Sequence, residues 1–195
     1  MALHFSHGNA KLSKGTLIFN LPAGKTCPGA SICKSFAVVT PEGRKIADGP
    51  NTVFRCFAAS SEVQYDQVFY NRADNLQQVM VALKGGISEL VKILDLGIQE
   101  NRNRNTRRVR IHESGDFFSA AYLQAWIEVA IANPDLQFYC YSKSLGLFLD
   151  VTLPSNFFLT ASYGGKFDSL IDDGYFPRYA KVVESLEVAD SMGLP

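Results

Sequence analysis

The sequence predicts an α/β fold, either a partial (β/α) barrel or an open, mainly parallel sheet, with an N-terminal cysteine-bearing loop and hairpin. Residues 108–144 read as strand, helix and strand within about thirty residues, a βαβ unit whose right-handed crossover makes its strands parallel. Strand and helix patterns keep alternating after that unit. Residues 62–104 are helical in pattern, long enough to cover a sheet. A chain of 195 residues, 47% apolar and 19% charged, buries one sizeable core and is read as a single domain. Within it, 1–59 form the cysteine loop and hairpin region, 60–107 the helical cover and 108–195 the βα array.

Taken in order, the first dozen residues, with His4 and His7, show no periodicity and read as a flexible terminus rather than a metal pair. Thr16 to Asn20 is a short strand. The stretch from Leu21 to Cys33 then carries two prolines, two glycines and two cysteines. Turn residues deny it regular structure, so something else must hold it, and two thiolates on one ion or cluster would do so. Ser35 to Thr40 and Arg44 to Ala47 flank Pro41-Glu42-Gly43 as a hairpin, which can fold Cys56 back towards Cys27 and Cys33. Val53 to Ala59 lead into a helix capped by Ser60 or Ser61.

The helical cover has its apolar residues at Val63, Val68, Phe69, Leu76, Val79, Met80, Leu83, Ile87, Leu90, Val91, Leu94 and Ile98. Asp74 or Asn75 and Ser88 are candidate caps, and Gly85-Gly86 separates two segments. The organising unit starts with a strand at Arg108 to His112, stopped by Ser114-Gly115-Asp116. A helix capped by Ser119 and ended by Asn133-Pro134 follows, then a second strand from Leu136 to Tyr141. Leu145 to Asp150 read as a short helix and Asn156 to Ser162 as a third strand. The turn at Tyr163-Gly164-Gly165-Lys166 lets backbone approach a ligand closely. Asp172-Asp173-Gly174 is a turn, Ala180 to Glu184 a fourth strand and Ser185 to Met192 a last helix.

Parallel sheets bind ligands at the carboxyl edge of their strands. There the sequence places His112, Glu113, Ser114 and Asp116 after one strand, and Ser142 and Lys143 after the next. An imidazole, two acids and an amine on one rim suit proton transfer and substrate orientation. The plainer alternative is that Asp116 and Ser119 cap the helix while Glu113 and Lys143 are solvated.

Nineteen acidic and nineteen basic residues give a formal charge of zero, which removes the electrostatic case for tight nonspecific binding to nucleic acid or anionic lipid. The basic run from Asn101 to Arg108 reads as a solvated helix end, with a phosphate contact as the alternative. The sequence shows neither a signal peptide nor an apolar run of the roughly eighteen residues that span a bilayer. A cytoplasmic location follows, where disulfides are rare and four cysteines call for metal ligation, catalysis or burial.

Five residues separate Cys27 from Cys33, and twenty-two more precede Cys56. Neither gap has zinc-finger spacing and no nearby histidine pair completes such a site. Three thiolates suit an iron–sulfur cluster, each binding one iron and leaving a fourth open to water, substrate or a nucleotide cofactor. Cys140, inside the second strand of the βαβ unit, is either a fourth ligand or a buried small hydrophobe.

Thr26-Cys27-Pro28-Gly29-Ala30 with Cys33, Arg55-Cys56-Phe57-Ala58-Ala59, Arg110-Ile111-His112 with Ser114-Gly115-Asp116-Phe117, and Phe138 to Ser144 together resemble a bacteriophage family named after a mycobacteriophage product, gene product 88. The resemblance spans most of the chain. It implies a phage-encoded protein of the host cytoplasm, with relatives that continue beyond Pro195.

More distantly, a cysteine loop ahead of a βα array with a small-residue acidic turn is similar to radical S-adenosylmethionine proteins. That likeness implies a [4Fe–4S] cluster on Cys27, Cys33 and Cys56, with S-adenosylmethionine chelating the open iron and its amino group at Ser114, Gly115 and Asp116. Those enzymes space their cysteines more closely, and an aromatic precedes the last one, whereas Phe57 follows Cys56.

The expected function is therefore an iron–sulfur protein, of radical S-adenosylmethionine type by resemblance. Electrons would pass from cluster to bound cofactor, and His112, Glu113, Asp116 and Lys143 would orient a small-molecule substrate or move protons. One alternative is a noncatalytic module, metal-stapled, that binds a host protein or nucleic acid. Another is a metal-free hydrolase or transferase using the same rim.

Overall fold

A computed structural model describes residues 2–8, 12–183 and 185–193. Short runs of β-branched and aromatic residues form β2 (Thr16–Phe19), β5 (Arg108–Ile111), β6 (Gln137–Ser142) and β7 (Phe157–Ser162), all mutually parallel. With the edge strands β1 (Phe5–His7) and β8 (Tyr179–Ala180) they make one six-stranded sheet in the order β1-β2-β5-β6-β7-β8. Only β1 runs antiparallel, and the sheet stays open rather than closing into a barrel. The open, mainly parallel sheet is the second of the two expected forms.

A separate hairpin pairs β3 (Ser35–Thr40) with β4 (Gly43–Asp48), as the Pro-Glu-Gly turn predicts. The helical cover consists of α1 (Phe57–Gln64), α2 (Asp66–Gly85) and α3 (Ile87–Asn101). Helix α4 (Ala120–Ala132) crosses from β5 to β6, and α5 (Asp168–Asp172) and α6 (Leu186–Ser191) are short.

The pleat sorts each strand into two faces. Leu17, Phe19, Val109, Ile111, Phe138 and Phe157 join Val79, Leu90, Leu94, Ile98, Tyr122 and Trp126 in one core beneath α2, α3 and α4. Cys140 lies fully buried in the same core, a small hydrophobe and not a rim ligand. Among the described residues no helix is long and apolar enough to cross a membrane.

Several local expectations fail for definable reasons. The N-terminal segment is tied down rather than loose: the His4 amide donates to Asn75 Oδ1 at 2.8 Å, and β1 pairs with β2. Asn75 is thus no cap but a buried brace inside α2, its Nδ2 donating to the carbonyls of His4 and Asn20. Gly86, not Ser88, precedes α3 as its cap. Helix α1 starts four residues earlier than its serines suggest, because Ser60 and Ser61 return their hydroxyls to the carbonyls of Cys56 and Phe57. Cys56 itself holds the N-cap position. Residues Leu145–Phe148 make a 3-10 turn, and the fourth parallel strand shrinks to the two residues of β8. Glu184, the last residue expected in that strand, lies outside the described residues.

Candidate functional site at the carboxyl edge of the sheet

Strands β2, β5, β6 and β7 all end at one rim, and the cysteine loop is laid across their ends. It is held there by the protein's own backbone. The amides of Ser31 and Ile32 donate to the Gly164 carbonyl, and the Lys166 amide donates to the Gly29 carbonyl at 2.8 Å. Ala30 bridges Gly165 in antiparallel fashion. Regular structure is absent, as expected, and these backbone hydrogen bonds tie the loop to the rim. The Gly164-Gly165 pair serves close approach to this loop rather than to a ligand.

Two glycines make the docking possible. A Cβ on Gly29 would run into the Lys143 carbonyl and come within 2.7 Å of the Ser144 amide nitrogen. Gly115 has φ +86°, and a Cβ there would stand 2.7 Å from both Leu21 Cβ and Thr26 Oγ1.

Docked in this way, the loop brings Cys27 and Cys33 to a cavity of about 540 Å³, and α1 brings Cys56 to it from the other side. The sequence-predicted convergence of the three cysteines on one cavity is present. Burial pushes the Cys27 and Cys33 thiols up. Cys27 is raised further by the Asp116 charge and by the other two sulfurs, while the Lys143 ammonium partly relieves Cys33. Arg55, Arg110, Lys143 and Lys181 in the same wall supply positive charge.

Among the described residues no three histidine, cysteine or carboxylate side chains stand together as ligands of a single ion. The thiols ring a cavity instead. Ligands of a cubane cluster each bind a different iron and so stand farther apart than ligands sharing one ion.

The rim residues take roles that spacing alone does not reveal. Asp116 is buried, with both carboxylate oxygens engaged. Its Oδ1 accepts from the Phe117 amide and the Ser142 hydroxyl, each at 2.7 Å, and its Oδ2 from the Lys143 and Ser144 amides and the Ser144 hydroxyl. Burial nevertheless pushes its pKa up, against those donors. Asp116 is a junction that ties the end of β5 to the end of β6. Ser114 is equally committed, donating its hydroxyl to Glu62 Oε1 and its amide to Asn20 Oδ1. In the Ser114-Gly115-Asp116 turn the Asp116 carboxylate is thus taken up by five protein donors, and the Ser114 hydroxyl proton is committed to Glu62.

His112 has φ +70°, an uncommon conformation for a non-glycine residue. Its Nε2 lies 2.8 Å from Tyr122 Oη, while its Nδ1 is buried and without a partner among the described residues. Burial and the Arg110 charge push its pKa down to about 3. At neutral pH these effects favour the uncharged imidazole. Lys143 keeps an accessible amine, steadied by donation to Ser162 Oγ at 2.6 Å. Glu113 lines the same cavity.

Glu62 was not legible as a site residue. Buried in α1, its Oε1 accepts from the Ala23 amide at 2.8 Å and pairs with Arg72 at 2.9 Å. Arg72 in turn donates to the Ala58 carbonyl. This ion pair links the helix bearing Cys56, the start of the cysteine loop and the Ser114 turn. A lone glutamate among small residues carries no pattern in sequence.

Comparison with known proteins agrees with these motifs. Residues 2–193 match the family model described as gene product 88. The Gene 88 protein of Mycobacterium phage L5 is 30% identical over 138 residues, which is 70% of this chain and 51% of that protein. The chain thus spans about half the length of the curated relative it matches. No solved structure matches.

Proposed function

The chain belongs to the gene product 88 family, and from that premise and the geometry of the rim we propose that it is an iron–sulfur protein. Cys27, Cys33 and Cys56 hold a [4Fe–4S] cluster facing the cavity. The observation that carries this reading is the arrival of three thiols, from a docked loop and from a helix N-cap, at one cavity on the carboxyl edge of a parallel sheet.

Such a cluster, when bound, supplies one-electron transfer and one open iron site. The chain's own residues then bind and orient a small molecule beside it. Lys143 and Arg110 attract anionic groups, and the unpartnered Nδ1 of buried His112 offers a hydrogen bond. Asp116 acts as a positioning residue, fixing the backbone of Lys143. The acceptors of Asp116 expected to meet S-adenosylmethionine are already engaged by five protein donors, and no step is assigned to that cofactor. The loop's own hydrogen bonds also weigh against a metal that merely staples it.

Anaerobic purification tests the proposal. Brown protein with broad visible absorption and about four irons and four sulfides per chain is the expected result. Substitution of Cys27, Cys33 or Cys56 by Ala should remove the colour while leaving the fold intact by circular dichroism. Colourless protein that binds zinc, or that refuses iron and sulfide on reconstitution, overturns it.

A further inference from the structure

The face of the sheet turned away from the helices carries arginines and aromatic rings side by side. From the alternation of the strands, Arg108 and Arg110 of β5, Tyr139 and Tyr141 of β6 and Phe158 of β7 all point to it. The parallel register sets Arg110 beside Tyr139, and Tyr139 beside Phe158, in one row across three strands.

The Arg110 guanidinium carbon lies 5.8 Å and 5.0 Å from the ring centroids of Tyr139 and Tyr141. Arg178 sits 5.6 Å from Phe158. Arg108, Tyr139, Tyr141, Phe158 and Arg178 line a groove of about 490 Å³ whose lining, among the described residues, includes no aspartate or glutamate, while Arg110 lines the neighbouring thiol cavity. Through Tyr141 it runs into the thiol cavity.

We infer that this face binds single-stranded nucleic acid, with bases stacked on Tyr139, Tyr141 and Phe158 and phosphates paired with Arg108, Arg110 and Arg178. Rings and guanidinium planes lying flat on a sheet accept unpaired bases, whereas bases stacked inside a duplex cannot reach them. The formal charge of zero argues against a globally basic protein. It does not oppose a groove from which acidic side chains are excluded, since phosphate contacts act over a Debye length of about 8 Å at physiological ionic strength. The inference needs no metal and goes beyond the cluster reading, naming what reaches the cavity by way of Tyr141.

The test is fluorescence anisotropy with metal-free full-length chain and labelled DNA and RNA single strands of about twelve nucleotides, inside the footprint of single-strand binders. Binding to a single strand, weaker binding to the matching duplex, and a slope near −2 for log affinity against log salt are expected, about −0.7 for each guanidinium–phosphate contact. Tyr141→Ala should weaken binding roughly tenfold, the loss of one stacked base. Arg178→Ala should flatten the salt slope, and Arg178→Lys should restore it. Equal affinity for duplex, indifference to Tyr141→Ala, or no binding at low salt overturns the inference. So does a dimer by light scattering that Tyr141→Ala dissolves, because the face then belongs to a second copy. Loss of the cluster with binding intact would separate failure of the iron–sulfur reading from failure of this one.

Discussion

Replacing Gly29 by Ala should separate the docking of the cysteine loop from every other contribution to stability. The added methyl meets the Lys143 carbonyl and the Ser144 amide nitrogen, both backbone atoms. They cannot retreat cheaply, because the Lys143 and Ser144 amides donate to the buried carboxylate of Asp116 at 2.9 and 3.2 Å. Overpacking of this kind costs about 1–3 kcal/mol. If the loop lifts instead, it weakens the bond from the Lys166 amide to the Gly29 carbonyl and those from Ser31 and Ile32 to Gly164, at about 1 kcal/mol each. A total near 2–4 kcal/mol corresponds to a melting temperature lower by about 5–15 °C for a chain of this size. Because Cys27 and Cys33 flank Gly29, iron loading should fall with it. Gly43→Ala is the control. Gly43 has φ +116° in the hairpin turn with open space where a Cβ would sit, so strain of about 1–2 kcal/mol is expected with loading unchanged. Thermal melts followed by circular dichroism, with iron content on the same preparations, decide the matter. A Gly29→Ala protein that melts like wild type and loads fully would refute the docking argument, as would a Gly43→Ala protein that loses iron equally.

Glu62→Gln should cost about 3–5 kcal/mol in urea denaturation, since it leaves the buried Arg72 guanidinium without its counter-charge. A loss under about 1 kcal/mol would mean that the pair is not the brace described. His112 is held neutral in the fold with a pKa pushed down to about 3, against about 6.5 when unfolded. Its contribution to stability is therefore whole above about pH 6.5 and is lost progressively as pH falls towards 3. Asn tolerates the left-handed backbone and does not titrate. Between pH 7 and 4.5 wild type should accordingly lose about 2–3 kcal/mol more than His112→Asn, and parallel urea profiles would contradict this. Cys140→Ala should retain all its iron while losing about 1 kcal/mol of core burial, and depletion of iron would instead make Cys140 a ligand.

The βαβ unit was legible because each part is signalled by neighbours in sequence. Alternation marks β5, the Ser119 hydroxyl oxygen accepts from the Tyr122 amide as the cap, and Asn133-Pro134 ends α4. The carboxyl-edge location of His112, Asp116 and Lys143 followed from topology alone. What failed depends on partners distant in the chain. β1 is three residues long, too short to show a period, and exists through pairing with β2 and through Asn75, seventy-one residues from His4. Asn75 has the composition of a cap, yet it satisfies two carbonyls that no local rule could identify. Asp116 looked like a chemical group, but its five donors come mainly from residues 142–144, known to surround it only once β6 lies beside β5. Net charge is silent on such local sorting. It averages over the molecule, whereas the pleat sorts Arg108 and Arg110 onto one face, and the acid-free lining at Arg108 holds for the groove rather than for the whole face.

The same long-range contacts bear on what a metal could do here. In a zinc finger the ion organises an otherwise unfolded segment, so binding free energy is consumed in folding. Here the segment bearing Cys27 and Cys33 is already tied to the sheet by backbone bonds at Gly29 and Gly164, and Cys56 is placed by α1 and the Glu62–Arg72 pair. The three cysteines line one cavity in this arrangement, and burial pushes the Cys27 and Cys33 thiols up. Metal-free protein should therefore unfold cooperatively and keep its sheet. Cluster binding should raise its stability only by the mass-action term set by affinity. For the proposed cluster, an arrangement of that kind holds the centre fixed, which places the expected chemistry in the cavity beside it rather than in the loop itself.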